Sequence, residues 1–166
     1  MNILKRNGLL NVPLCSALAN IGHGDILMIV DAGYPIPAAA NRVDLSILAG
    51  VPDLETVYAA IAPELIVEKV HFAHEVRLHN HPMYTRLTKW FDERDFEPVE
   101  HATVINDLGN RAKFIVRTGA LDPWGNIALV GGVDYAAYFS DPAISVPENF
   151  RALINRRKFV PGAGLL

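Results

Sequence analysis

Gly22-His23-Gly24-Asp25, the run Ile26-Leu27-Met28-Ile29-Val30, and Asp31-Ala32-Gly33-Tyr34-Pro35-Ile36-Pro37 decide the reading of this chain. The five apolar residues have the length and continuity of a strand covered on both faces. A histidine between two glycines precedes that strand, and an aspartate closes it. An ionisable group at the carboxyl end of a buried strand stands where open α/β sheets bind ligands. Histidine is the side chain that exchanges protons near neutral pH. The stretch therefore reads as a small-molecule acid/base site in an α/β protein.

Working outward, Pro13 to Ile21 reads as a short helix with Leu14, Leu18 and Ile21 on one side. Asp53 caps a second helix that ends at Ile61. Leu65 to Val76 reads as a strand, and Pro82 to Phe91 as a helix carrying Met83, Leu87 and Trp90. A short strand and a helix are expected around Pro98 to Asp107. Phe114–Arg117 and Ile127–Val130 read as strands flanking the loop from Thr118 to Asn126. Alternating strands and helices predict a three-layer α/β/α domain on a mostly parallel or mixed sheet. Residues 1–135 form that domain, and residues 136–166 a C-terminal arm packed on it or on a neighbouring subunit. The arm holds one expected helix, Glu148 to Arg156. Its apolar Leu153, Ile154, Phe159, Leu165 and Leu166 call for burial.

The 166 residues suit a single core, and a net charge of -3 argues against a nucleic-acid partner. The basic run Arg156-Arg157-Lys158 is short and reads as a solvated face. One cysteine, Cys15, fits a reducing compartment, and no apolar stretch reaches the length of a membrane span. A cytoplasmic protein without membrane contact is expected. His71 and His74 would point to opposite faces of a strand, and with no cysteine pair a metal site is not expected.

Two places can carry chemistry. His23 can be aimed outward by its glycines, although a plain turn histidine fits equally. Asp31 needs water, a partner or a ligand, or else caps the following turn. In the loop Gly119 to Asn126, Trp124 offers an aromatic face beside Gly125, and Asn126 offers a donor and an acceptor, as a sugar hydroxyl requires. A tight turn with a core tryptophan would look the same.

The motifs go further than their composition. Ile21-Gly22-His23-Gly24-Asp25 followed by Asp31-Ala32-Gly33-Tyr34-Pro35-Ile36-Pro37 resembles the start of the D-ribose pyranase and L-fucose mutarotase family. Arg42-Val43-Asp44, Gly50-Val51-Pro52 and Glu75-Val76-Arg77-Leu78-His79-Asn80 are similar to the ribose branch. Val116-Arg117-Thr118-Gly119, Asn126-Ile127-Ala128-Leu129 and Gly132-Val133 are similar to the closing strands. The resemblance implies a cofactor-free isomerase that interconverts ring forms of a free monosaccharide. It makes His23 the catalytic proton donor and Asp31, Trp124, Gly125 and Asn126 sugar contacts. His101 joins them through an alignment shifted by one residue. It also implies a homo-oligomer, rings of five stacked into a decamer, with sites completed by an adjacent subunit. Two departures stand out: Trp124 replaces a usual tyrosine, and relatives end near Gly132-Val133. Fucose-type exchange of anomers and a catalytically idle sugar-binding protein are the alternatives, with a ring-shaped scaffold as a third.

Overall fold

The computed structural model describes residues 8–154. The basic run at 156–158 and Phe159, Leu165 and Leu166 lie outside the described residues. Six strands form one mixed sheet: β1 (Ile26–Val30), β2 (Arg42–Asp44), β3 (Val67–Ala73), β4 (Phe96–Val99), β5 (Phe114–Arg117) and β6 (Ile127–Gly131), in the order β2-β5-β1-β6-β3-β4. Every residue of β1 is buried, so helices cover both faces of the sheet and the domain is a three-layer α/β/α sandwich. The Pro98 ring, which removes a ladder donor, is tolerated because β4 is an edge strand.

Strand direction sets the layout of everything functional. β1 runs parallel to β5, β5 to β2, and β3 to β4, while β6 is antiparallel to both β1 and β3. The carboxyl ends of five strands and the amino end of β6 therefore share one edge. The amino ends of those five and the carboxyl end of β6 share the other.

Helices begin where local chemistry starts them. Asn11 Oδ1 accepts from Leu14 N–H at the start of α1 (Val12–Ala19), and Asp53 Oδ1 from Thr56 N–H at the start of α2 (Leu54–Ile61). The strand expected over residues 65–76 ends at Ala73, because the chain turns at His74 into α3 (Glu75–His79). His71 and His74 thus do not share a strand. His71 Nδ1 lies 3.3 Å from the Glu97 carbonyl, and His74 sits between Glu75 and Glu100 at 3.8 Å from each carboxylate. Among the described residues no cluster of three or more metal-ligating side chains forms, and no helix is long and apolar enough to cross a membrane.

Asn80 then caps α4 (His81–Trp90) by accepting from Met83 N–H. After β4, one continuous helical stretch comprises α5 (His101–Thr103), a π-helical segment (Val104–Leu108) and α6 (Gly109–Arg111). The Tyr34 hydroxyl reaches into this stretch and donates to the Val104 carbonyl at 3.0 Å. A Cβ on Gly109 would lie 2.2 Å from that hydroxyl, so only glycine fits there. Beyond β6 lie α7 (Tyr135–Tyr138) and α8 (Glu148–Ile154), joined by Phe150 packing against Tyr135 and Phe139.

Candidate functional site

At the carboxyl edge, Asp31 leaves β1 and Asn126 enters the neighbouring β6. Asn126 is 5% exposed and its amide pairs with Asp31 through both atoms: Oδ1 accepts the Asp31 backbone N–H, and Nδ2 donates to Asp31 Oδ2, both at 2.9 Å. The other carboxylate oxygen accepts from Gly33 N–H at 2.8 Å, within the Ala-Gly-Tyr-Pro turn. Asp31 is therefore fixed in place while staying half-exposed. Its carboxylate contributes to holding the buried Tyr34 phenol at a pKa pushed up to about 12, with burial the larger cause.

The loop before Asn126 is built to hold Trp124 up. Trp124 has φ 56, a left-handed conformation that side chains other than glycine rarely adopt. Neighbouring interactions hold it there. Asn80 Nδ2 donates to the Pro123 carbonyl at 2.8 Å, Arg86 pairs with Asp122, and Gly125 N–H bonds the Asp122 carbonyl at 3.0 Å. A Cβ on Gly125 would sit 2.8 Å from the Asp122 carbonyl oxygen, so the turn closes only around glycine. The indole lies 5.9 Å from the His79 ring, tilted by 39°. Thr118, fully buried, ties the start of the loop to the Val30 carbonyl through its hydroxyl. His101 opens α5 on this same edge, directly after β4. Asp31, Trp124, Gly125 and Asn126 are thus brought together, with His101 on the same edge but three strands across the sheet.

His23 is not there. It precedes β1 and lies at the opposite edge, where Gly24 N–H bonds the Gly131 carbonyl at 2.8 Å and takes φ 81. The five residues of β1 alone span roughly 17 Å. No local rearrangement carries His23 to Asp31 while that strand keeps its place. The imidazole instead meets two groups that sequence reasoning missed. His23 Nε2 is 2.8 Å from Glu68 Oε2 at the start of β3, and the Tyr135 ring stands edge-on at 6.4 Å and 87°. Glu68 and Tyr135 also line a cleft of about 330 Å³ between the α2–β3 connection and the C-terminal arm. Asp25, two residues from His23, is turned elsewhere. Its carboxylate accepts from Lys113 and from Gly22 N–H, which together hold it below the usual carboxylate range. The charged pair Glu68-Lys69 near the start of β3, and an aromatic just past β6, were the available signals.

Comparison with known proteins returned a consistent set. The family model described as the RbsD / FucU transport protein family matches residues 4–134. The D-ribose pyranase 1 of Streptomyces griseus is 44% identical over 155 residues, covering 91% of this chain and all of that protein. The D-ribose pyranase 2 of Rubrobacter xylanophilus is 46% identical over 148 residues, covering 89% and 96%. A match over 91% of this chain runs into the arm, whereas the Kosmotoga olearia D-ribose pyranase is matched over its whole length by 80% of this chain. The expectation that relatives end near Val133 therefore holds for some and not for others. Among solved structures, Bacillus subtilis RbsD complexed with D-ribose superposes with a TM-score of 0.73 at 36% identity, over 78% of this chain and 98% of that one. The fucose mutarotase of Streptococcus pneumoniae shares the fold, with a TM-score of 0.57 at 17% identity over 74% and 93%.

Proposed function

The chain belongs to the RbsD / FucU family, and from that premise we propose that it interconverts the ring forms of a free monosaccharide, D-ribose first among them, without a cofactor. Relatives named D-ribose pyranase at 44% and 46% identity support the ribose branch over fucose-type anomer exchange. The observation that carries the mechanism is the partition of the site between the two edges of the sheet. Asp31, held by Asn126, binds sugar hydroxyls beside the Trp124 face. His101 adds a contact on that edge, and the Gly125 backbone orients the sugar. His23 supplies the proton from a second copy of the chain.

Ring opening breaks the bond between the anomeric carbon and the ring oxygen. The ring oxygen takes a proton while the anomeric hydroxyl loses one, leaving the open aldehyde. A different hydroxyl then adds to the aldehyde carbon and gives up its proton, while the aldehyde oxygen takes one and becomes the new anomeric hydroxyl. A positioned imidazole contributes about 10²–10⁴-fold to such transfers. Tryptophan keeps the stacking face of the usual tyrosine and one N–H donor, but its ring transfers no proton, so the proton work falls to histidine.

The edge around Asp31 has the surface for this assembly. Ile47, Leu48, Val51, Leu78 and Leu121 are exposed there by 44–78%. Apolar side chains gathered at one edge mark a contact surface. A contact between two different edges, repeated head to tail, builds a ring when the rotation between copies closes. We assign five copies to the ring and ten to the particle, in the cytoplasm.

Exchange NMR on equilibrated D-ribose and L-fucose tests this. Wild type should accelerate pyranose–furanose exchange of ribose, and both His23→Ala and Asp31→Ala should lose it. Co-assembled in equal amounts, the two inactive variants should regain about a quarter of wild-type activity. That is the chance that an intact His23 edge meets an intact Asp31 edge. Full activity in His23→Ala refutes its role, and no recovery on mixing refutes the shared site. Exchange of fucose anomers alone moves the protein to the other branch, and binding without exchange makes it an accessory protein.

A further inference from the structure

We infer that Glu68 and Tyr135 are positioning residues that seat the His23 imidazole, so that Nε2 keeps its proton on Glu68 and Nδ1 is the nitrogen that exchanges protons with the sugar. The inference rests on the reading of His23 as the acid/base of the proposed reaction.

Three observations carry it. A neutral imidazole has one donor and one acceptor nitrogen, and the partner of one decides the role of the other. Here the partner is a carboxylate, which only accepts when ionised, and it lies 2.8 Å from Nε2. Nδ1 has no hydrogen bond among the described residues. Secondly, the nearer carboxylate in sequence is already committed, since Asp25 accepts from Lys113 Nζ at 2.6 Å and from Gly22 N–H at 2.7 Å. Glu68 is thus the carboxylate that orients this ring. Thirdly, the edge-on Tyr135 ring stands against the imidazole and restricts its rotation. Tyr135 lies just past the residues that match the family model, and Phe150 of α8 packs on it at 5.6 Å. The arm therefore reaches the proton donor through two aromatic contacts.

The proton balance follows. The imidazolium carries one proton on each nitrogen. Nδ1–H passes its proton to the ring oxygen as the carbon–oxygen bond breaks and water takes the proton of the anomeric hydroxyl, leaving the aldehyde and a neutral imidazole whose Nε2–H stays on Glu68. Nδ1 recovers a proton from the hydroxyl that closes the new ring, while water returns one to the aldehyde oxygen, which becomes the new anomeric hydroxyl. A ring free to turn would offer either nitrogen at a range of angles, and misplacement of that kind costs rate rather than affinity.

The test uses the full-length assembled protein, with ribose exchange as the rate. Glu68→Ala should lower turnover roughly tenfold or more at unchanged KM. Glu68→Gln, which keeps an acceptor oxygen, should recover most of it. Tyr135→Leu should lower turnover in the same way, and Tyr135→Phe should not. The second readout is the nitrogen spectrum of protein with ¹⁵N-labelled histidine rings, the His23 signals being assigned by their loss in His23→Ala. Ribose should move the Nδ1 signal while Nε2 stays protonated, and Glu68→Ala should abolish that preference. Wild-type turnover in Glu68→Ala, a change confined to KM, or a His23 spectrum indifferent to Glu68→Ala overturns the inference. Wild-type turnover in His23→Ala instead overturns the acid/base reading, and the spectrum still reports on the seat.

Discussion

Replacing Asn126 separates the support of Asp31 from the chemistry around it. The backbone N–H of Asp31 can only donate, so the oxygen of the Asn126 amide must face it, and the nitrogen must face the carboxylate. Asn126→Ala removes one neutral hydrogen bond and one bond to a charged group. These are worth about 1 and 1.5–3 kcal/mol, and water reaching half-exposed Asp31 brings the expected loss to about 2 kcal/mol. Asn126→Asp is the sharper variant. It keeps the acceptor for the N–H but sets a second carboxylate about 3 Å from the first, a repulsion of roughly 5 kcal/mol at an effective dielectric of about 20. The pair escapes by taking up a proton. At pH 7 that costs about 1.4 kcal/mol for each of some three pH units, so the penalty is capped near 4 kcal/mol. The folded variant then binds a proton that the unfolded chain lacks, and its stability must fall as pH rises. Urea unfolding at fixed protein concentration from pH 5 to 8 should show the gap to wild type widening by about 1.4 kcal/mol per pH unit until it levels off at the repulsion of roughly 5 kcal/mol. A gap that stays flat with pH, or Asn126→Ala within about 0.5 kcal/mol of wild type, would refute this account of Asp31.

Gly119→Ala would place a Cβ 2.4 Å from the Val51 carbonyl oxygen and 2.5 Å from that of Leu48. Thermal unfolding should show a loss of about 1–3 kcal/mol, while Gly33→Ala, whose Cβ would meet nothing nearer than 3.5 Å, should sit close to wild type. Three aspartates are held below the usual carboxylate range: Asp25 by Lys113 and Gly22, Asp44 by Ser46 and Arg117, and Asp53 by Thr56. Their folded values lie below the unfolded one, so their contribution is present above about pH 4 and is lost as acid carries the pH down through the folded values. Unfolding curves between pH 6 and 2.5 should show that decline, and Lys113→Met should make it shallower.

What was legible in the sequence is what local chemistry decides. The five apolar residues of β1 and the Asp53 cap needed no distant partner to be read correctly. β2 was missed because only Val43 of its three residues is buried, and its strand character comes from pairing with β5, far along the chain. Glu75 to His79 carries valine and leucine that suit a strand. The helix there is imposed by the end of the sheet, where His74 N–H reaches the Val99 carbonyl at 2.9 Å. The reversal of β6 was equally out of reach. β5 and β6 follow one another in the chain, yet β1 lies between them. Glu68 is 45 residues from His23 and announces itself only as a polar residue at the mouth of a strand.

The motif around β1 held one more inference. A histidine before a strand and an aspartate after it are close in sequence because the strand is short, but a strand is extended, and its two flanks face opposite edges of the sheet. Nine residues that read as one site therefore run from one edge of the sheet to the other, and in the proposed mechanism they are two half-sites. Each half is finished by its own surroundings: Asn126 and the turn to Gly33 fix Asp31, and Glu68 with Tyr135 flanks His23. Neither half carries the donor or the cradle of the other. In the proposed ring the pairing of halves is set by how copies meet, and a substitution among Ile47, Leu48 and Leu121 at the Asp31 edge is expected to lower the His23-dependent exchange rate by changing how a second copy docks.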